Sequence, residues 1–127
     1  MIFGVGMDII EVSRVSRNLS RTSGLKDRLF TPAEIAYCES KLRSAEHFAA
    51  RFAAKEAFLK ALGTGWRGGL RFDEIEILND ERGRPRAVVH GRVKEFCEAN
   101  RIVAKHVSLT HVKETAAAVV VLEANTD

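Results

Sequence analysis

The spacing of apolar and polar positions changes midway along the chain, from helical periods to strand periods. Met1 to Met7 is mainly apolar with two glycines and predicts a short buried strand. Asp8 and Glu11 follow as Asp-x-x-Glu ahead of an amphipathic run, close to a capping box, although that motif prefers Ser or Thr at the cap. The helix started there carries Val12, Val15 and Leu19 on one side and Arg14, Arg17 and Arg21 on the other. Thr31, Pro32 and Glu34 mark a second helix start, with Thr31 as cap, Pro32 at the first position and Glu34 completing the box. Ser44 to Leu62 is built of helix formers without Gly or Pro, and predicts a long helix ending at Gly63-Thr64-Gly65.

Beyond it the period shortens to two. Glu74 to Ile77 alternates, Asn79 to Gly83 is turn-rich and Arg86 to His90 returns, which predicts a hairpin. Val93, Phe96 and Cys97 predict a short helix closing near Asn100. Ile102 to Thr110 reads as a strand, Val112 to Glu114 as a turn and Ala116 to Leu122 as a final buried strand. Helices gathered early and strands late define an α+β chain, a single domain with a largely antiparallel sheet packed with helices.

The long helix carries charges where a plain amphipathic helix has none. At about 100° per residue, Phe48, Phe52, Leu59 and Leu62 form one narrow stripe with Lys55 in its middle. An unpaired ammonium there is expensive, so Lys55 snorkels, pairs with an acid, or faces a polar cleft or subunit boundary. Glu56 flanks the stripe and Lys60 lies one turn further on the same side, either a solvated i,i+4 pair or a catalytic one.

Composition narrows the class. In 127 residues, 46% hydrophobic and 29% charged is globular and long enough for a core. The net charge of +3 only weakly suggests an anionic partner. Its placement says more, since Arg14, Arg17, Arg21, Lys26 and Arg28 are opposed by Asp27 alone between Val12 and Leu29. Cys38 and Cys97 lack the spacing of a zinc site or disulfide framework, which points to a reduced, cytoplasmic protein. No apolar run reaches membrane-spanning length and no leader precedes the first strand, so a soluble, unprocessed chain is expected.

Several residues suit phosphate chemistry. Asp8 and Glu56 are hard oxygen ligands for a magnesium ion that keeps water and substrate phosphate as its other ligands, although Asp8 alone equally reads as a cap. Gly63-Thr64-Gly65 with Gly68-Gly69 permits close backbone approach to a ligand, yet glycine at a helix C-terminus needs none. The Gly-Lys-Ser/Thr ending of a Walker loop is absent. His111 is either a phosphate contact or a strand-end histidine facing solvent.

Together these segments resemble one family. Gly4-Val5-Gly6-Met7-Asp8-Ile9, Arg51-Phe52-Ala53-Ala54-Lys55-Glu56-Ala57, Gly63-Thr64-Gly65, Phe72 to Ile77, Gly83-Arg84-Pro85 and Val107 to His111 are similar to holo-acyl-carrier-protein synthases, the small bacterial phosphopantetheinyl transferases. The resemblance covers nearly the whole chain and implies the 4'-phosphopantetheinyl transferase-like fold. It implies transfer of the 4'-phosphopantetheine arm of coenzyme A to a serine of apo acyl carrier protein, releasing adenosine 3',5'-bisphosphate and supporting fatty acid biosynthesis. Asp8 and Glu56 would then hold magnesium against the pyrophosphate, and Glu56, directly or through a water, would take the serine proton. Lys60 would face the pyrophosphate, Arg51 and His111 the 3'-phosphate, and Gly83 to Pro85 the adenine region. Gly63, Thr64 and Gly65 would border the bound coenzyme A. The same resemblance implies a homotrimer with active sites at subunit boundaries, an ion pair for Lys55 near the site or a subunit contact, and acidic carrier proteins as partners for Arg14, Arg17 and Arg21. Trp66 departs from the family, which commonly has a smaller aliphatic there, and bears on the pocket near the pantetheine arm.

Two other classes compete. A nucleic-acid module would place the same arginines on phosphates, but aromatic residues make up only 7% and none interleaves with the basic row. A structural oligomer without catalysis would have no use for Asp8 and Glu56. Neither nucleic acid nor a membrane is an expected partner.

Overall fold

The computed structural model describes residues 1–65 and 69–125; Trp66 and Gly68 lie outside the described residues. In chain order the elements are β1 (Ile2–Glu11), α1 (Val12–Arg21), α2 (Leu25–Leu29), α3 (Pro32–Glu39), α4 (Ser44–Leu62), β2 (Ile75–Asn79), β3 (Pro85–Val89), α5 (Gly91–Ala99), β4 (Ile102–His111) and β5 (Thr115–Ala124). A 3-10 turn, Phe72–Glu74, leads into β2. One antiparallel sheet has the order β1-β5-β4, and β2 and β3 form a separate antiparallel pair. This is the expected α+β architecture, with the antiparallel strands divided between two sheets.

Local chemistry explains most boundaries. The Thr31 hydroxyl accepts from the Glu34 backbone N–H at 3.3 Å, while the Glu34 carboxylate accepts from the Thr31 N–H at 2.9 Å, a reciprocal capping box. Helix α4 runs over the predicted span and stops at Gly63, whose φ of 81° is the left-handed conformation that ends helices. The hairpin turn is held by Asp80 Oδ1, which accepts from the Arg82 and Arg84 N–H groups at 2.9 Å.

Three expectations change at the N-terminal end. The first strand extends to Glu11 and is buried on one face only, because Val5, Met7 and Ile9 alternate outward at 58–69% exposure. Asp8 therefore lies within β1 and caps nothing. Glu11 occupies the cap of α1 without a side-chain bond, so the Asp-x-x-Glu pattern is not a capping box. The short helix α2, absent from the sequence reading, follows a left-handed Gly24. Along α1, Val12 and Val15 are buried and Arg14, Arg17 and Arg21 exposed, as the periodicity predicts.

Helix α4 lies across β1 and β5 and is buried nearly all round rather than along a stripe; Lys60 is its one exposed residue. Its approach to β1 is close enough that a Cβ on Gly4 or Gly6 would overlap the carbonyl oxygens of Ala61 and Ala57. Two apolar clusters share this helix. One joins Phe58 and Leu62 to Ile75, Ile77, Val93, Val120 and Leu122. The other joins Phe48 to Val12, Val15, Phe30 and Cys38.

Lys55 sits between these clusters, fully buried, and its partner is inside the chain. Nζ donates to Glu34 Oε1 at 2.7 Å and to the carbonyl oxygens of Leu29 at 2.8 Å and Phe72 at 3.0 Å. Glu34, also buried, uses its second oxygen to accept from the Ile77 N–H at 2.9 Å. The pair thus ties α3, α4 and β2 to the chain just before α3 and just before β2. Burial holds the Lys55 pKa below its ordinary value, an effect that the Glu34 charge only partly offsets.

Lys55→Met strands the Glu34 carboxylate and should lower the unfolding free energy by about 3–5 kcal/mol, measured by denaturant titration. Unlike a simple buried ion pair, Lys55→Met combined with Glu34→Met should not recover. The Leu29 carbonyl and the Ile77 N–H would each lose the side-chain partner seen here. A double variant as stable as the wild type would refute this.

Candidate active site

The sequence-selected residues gather in two clefts. The larger, about 800 Å³, is lined from β1 by Asp8 to Glu11, from α1 by Arg14, Val15, Asn18 and Leu19, and from α4 by Phe52, Glu56 and Lys60. Leu25, Leu29 and Phe72 give it an apolar wall. Because β1 packs directly on α4 through Gly4 and Gly6, the two carboxylates from distant sequence positions face one space. Lys60 Nζ bonds Asp8 Oδ1 at 3.2 Å and the Met7 carbonyl oxygen at 3.0 Å. It pairs across to the strand rather than along the helix to Glu56, so the i,i+4 reading is replaced by a contact between elements.

The second cleft, about 470 Å³, is lined by Tyr37, His47, Arg51, Asn79, Gly83 to Pro85, Val107 to Leu109, and His111. His111 does not simply face solvent. Its Nδ1 lies 2.8 Å from Oε1 of Glu46, which is 6% exposed, and its ring packs edge-on against His47 at 4.9 Å. Arg51 is buried beside Asn79 and Tyr37. Arg51 and Glu56 are five residues apart, about 140° around the helix, and Arg51 and Lys60 are on opposite sides at about 180°. One helix therefore serves two separate clefts.

The structure thus joins Asp8, Glu56 and Lys60 in one place and Arg51, Gly83, Pro85 and His111 in another. Gly63, Thr64 and Gly65 line neither; a Cβ on Gly63 or Gly65 would meet nothing within 4 Å, so their positive φ, not close packing, accounts for the glycines. Arg14 borders the carboxylate cleft, closer to the chemistry than the sequence reading placed it, while Arg17 and Arg21 stay outside on the exposed face of α1. Glu46, His47, Tyr37 and Asn79 were not singled out. Their signals are weak, a carboxylate and a histidine in a helix, an aromatic on α3 and an asparagine that read as a turn residue.

Electrostatics distinguish the clefts. Burial first, and then the neighbouring Asp8 charge, raise the Glu56 pKa above its ordinary value, with Lys60 acting against them. Two carboxylates lining one cleft, one of them held by Lys60, fit a hard divalent cation taking few protein oxygens. Around the second cleft the field is positive. Burial lowers the His47 pKa, and His111 and Arg51 lower it further.

Comparison with known proteins identifies the family. Residues 4–120 match the family model described as 4'-phosphopantetheinyl transferase superfamily. A holo-[acyl-carrier-protein] synthase of Geobacter sp. (strain M21) is 47% identical over 124 residues, 97% of this chain and 99% of the relative. Among solved structures, holo-[acyl-carrier-protein] synthase from Neisseria meningitidis is similar with a TM-score of 0.88 and 35% identity, covering 97% of this chain and 99% of that one. A holo-(acyl-carrier-protein) synthase from Bacillus anthracis, solved in complex with CoA (3',5'-ADP), gives a TM-score of 0.81 and 37% identity over 98% and 99% of the two chains. The chain belongs to the 4'-phosphopantetheinyl transferase superfamily, in its holo-acyl-carrier-protein synthase family, and is a phosphopantetheinyl transferase enzyme.

The raised Glu56 pKa has a stability consequence in the metal-free protein. A raised carboxyl pKa means that folding disfavours the ionised form, so the stability tied to the protonated group is present at acid pH and lost as pH rises through the folded pKa. Glu56→Gln should raise the thermal midpoint at neutral pH with chelator present, and the gain should vanish toward pH 4. A gain that persists unchanged at acid pH would assign it to packing instead.

Proposed function

We propose that the enzyme carries out magnesium-dependent transfer of 4'-phosphopantetheine from coenzyme A to a serine of apo acyl carrier protein. The products are holo acyl carrier protein and adenosine 3',5'-bisphosphate, and the reaction supports fatty acid biosynthesis. The single observation that carries this reading is the Asp8, Glu56 and Lys60 constellation in one cleft. Asp8 and Glu56 would hold magnesium, which supplies charge neutralisation at the pyrophosphate during in-line attack. Lys60 donates to pyrophosphate oxygens from the exposed edge of α4. Glu56, directly or through a water, would take the serine proton. The apolar wall of Leu25, Leu29, Phe52 and Phe72 suits the pantetheine arm and keeps water from it.

The second cleft supplies the nucleotide end. Arg51 and His111 take the 3'-phosphate, and Gly83 to Pro85 border the adenine. Since this cleft lies on the other side of α4, one coenzyme A would use Asp8, Glu56 and Lys60 of one subunit and Arg51 and His111 of a neighbour. A homotrimer with sites at its subunit boundaries, the assembly the family resemblance implies, would supply such a pairing. The exposed Val5, Met7 and Ile9 face of edge strand β1 is a fitting contact surface for it. Arg14, Arg17 and Arg21 would steer the acidic carrier toward the cleft that Arg14 borders. We assign the reaction to the cytoplasm, in keeping with free, buried Cys38 and Cys97 and a Cys38 thiol that burial pushes up to about 11. Among the described residues no helix is long and apolar enough to cross a membrane.

Incubation with coenzyme A, magnesium and an apo carrier, followed by weighing the carrier, tests the reaction directly. The carrier should gain one phosphopantetheine, and Asp8→Ala and Arg51→Ala should each slow this by ~100-fold or more. Refolding the two variants together should restore activity, because some boundaries then combine two intact halves. Mixtures as inactive as their parents would place the whole site within one subunit.

Reversing Arg14 and Arg21 to Glu should raise the apparent KM for the carrier about tenfold and flatten its salt dependence while leaving coenzyme A affinity in place. If carrier affinity is unaffected and binding to a random oligonucleotide collapses, the strip serves nucleic acid instead.

A further inference from the structure

Arg51 is the reverse of Lys55. Both are buried on α4, at 2% and 0% exposure. Lys55 uses its donors on Glu34 and two carbonyls, whereas no carboxylate of the described residues lies within 4.0 Å of the Arg51 guanidinium. Nη2 of Arg51 donates to Asn79 Oδ1 at 3.2 Å, its guanidinium carbon lies 4.3 Å from the centre of the Tyr37 ring, and its buried Nε–H finds no acceptor. Asn79 Nδ2 in turn donates to the Tyr37 hydroxyl oxygen at 2.8 Å.

The order of this chain is set by donor arithmetic. A guanidinium can only donate, so it requires the amide oxygen of Asn79, and the amide nitrogen must then face Tyr37. Tyr37 accepts that bond and stays free to donate its own hydroxyl hydrogen. Three elements converge here: Tyr37 comes from α3, Arg51 from α4 and Asn79 from the last position of β2, opposite Pro85. All three side chains line the second cleft.

Leaving a buried charge without an opposite charge is costly, and an aspartate at position 79 would relieve it with the same shape. We propose that Asn79 and Tyr37 form a neutral clamp, positioning residues that hold the Arg51 guanidinium in place without neutralising it. Its full charge is thereby kept for a phosphate on the ribose 3' position. The amide fixes one edge of the guanidinium, the aromatic face supports its plane, and the unpaired Nε–H edge is left for the phosphate. The inference rests on the reading of this cleft as the nucleotide end. It makes a pair of uncharged side chains responsible for discrimination between coenzyme A and dephospho-coenzyme A.

The test is calorimetric titration of the purified full-length protein with adenosine 3',5'-bisphosphate and with adenosine 5'-monophosphate, which differ by the 3'-phosphate. In Asn79→Asp the carboxylate keeps the contact with Arg51 and competes with the ligand. The bisphosphate should weaken at least tenfold, the monophosphate by no more than about twofold, and the thermal midpoint should stay level or rise. A merely structural asparagine predicts the opposite pattern, a lower midpoint with both ligands affected alike. Tyr37→Phe, which keeps the ring and removes the hydroxyl, should weaken the bisphosphate severalfold and serves where Asn79→Asp does not fold. If the wild type prefers the bisphosphate and both variants keep that preference, the clamp is wrong and the cleft reading stands. If the wild type shows no preference, both are overturned.

Discussion

The buried Lys55 and Glu34 pair is the constraint on which the rest of the arrangement depends. Glu34 completes the capping box of α3, accepts from the Ile77 N–H at the start of the hairpin, and receives Lys55 from the middle of α4. Lys55 adds the Leu29 carbonyl just before α3 and the Phe72 carbonyl just before β2. Helix α4 is thereby fixed in rotation relative to α3 and the hairpin. As an ion pair it returns little net energy, since burial depresses the Lys55 pKa despite Glu34. Its value lies in five geometrically defined bonds, which an apolar replacement could not supply.

Fixing the rotation of α4 matters because one helix serves both clefts. Its positions 51, 55 and 56 point in three directions: Arg51 into the second cleft, Lys55 into the core, Glu56 toward Asp8. A small rotation of α4 would misplace both sets together. The glycines of β1 set the remaining coordinate, the distance between helix and strand. With no side chains at Gly4 and Gly6, the strand meets the carbonyls of Ala57 and Ala61, and Asp8 is brought within electrostatic reach of Glu56 and hydrogen-bond reach of Lys60. The same packing raises the Glu56 pKa, through burial first and the Asp8 charge second.

The two clefts follow different electrostatic strategies. The first concentrates negative charge and answers it with one exposed lysine, a setting suited to a cation and to proton transfer. The second holds the permanent charge of Arg51 beside His47, whose protonation burial and that charge disfavour, and its supports are uncharged where they meet the arginine and acidic where Glu46 meets His111.

Much of this was legible in the sequence. The 19-residue span of α4, its glycine stop, the Thr31 capping box, the hairpin and the sided pattern of α1 all depend on residues within about four positions of one another, so local periodicity and capping chemistry determined them. The family motif likewise singled out Asp8, Arg51, Glu56, Lys60 and His111. Their partners were decided only by tertiary structure. Asp8 reads as a cap until β1 is seen running on to Glu11; Lys60 reads as a partner of Glu56 until the strand offers Asp8; His111 reads as solvent-facing until Glu46 is found beside it. In the last two cases the deciding group lies more than fifty residues away in sequence. Local pattern constrains which face a side chain occupies, but the charge that meets it is set by how distant elements pack, because burial and electrostatic energy depend on distance in space rather than along the chain.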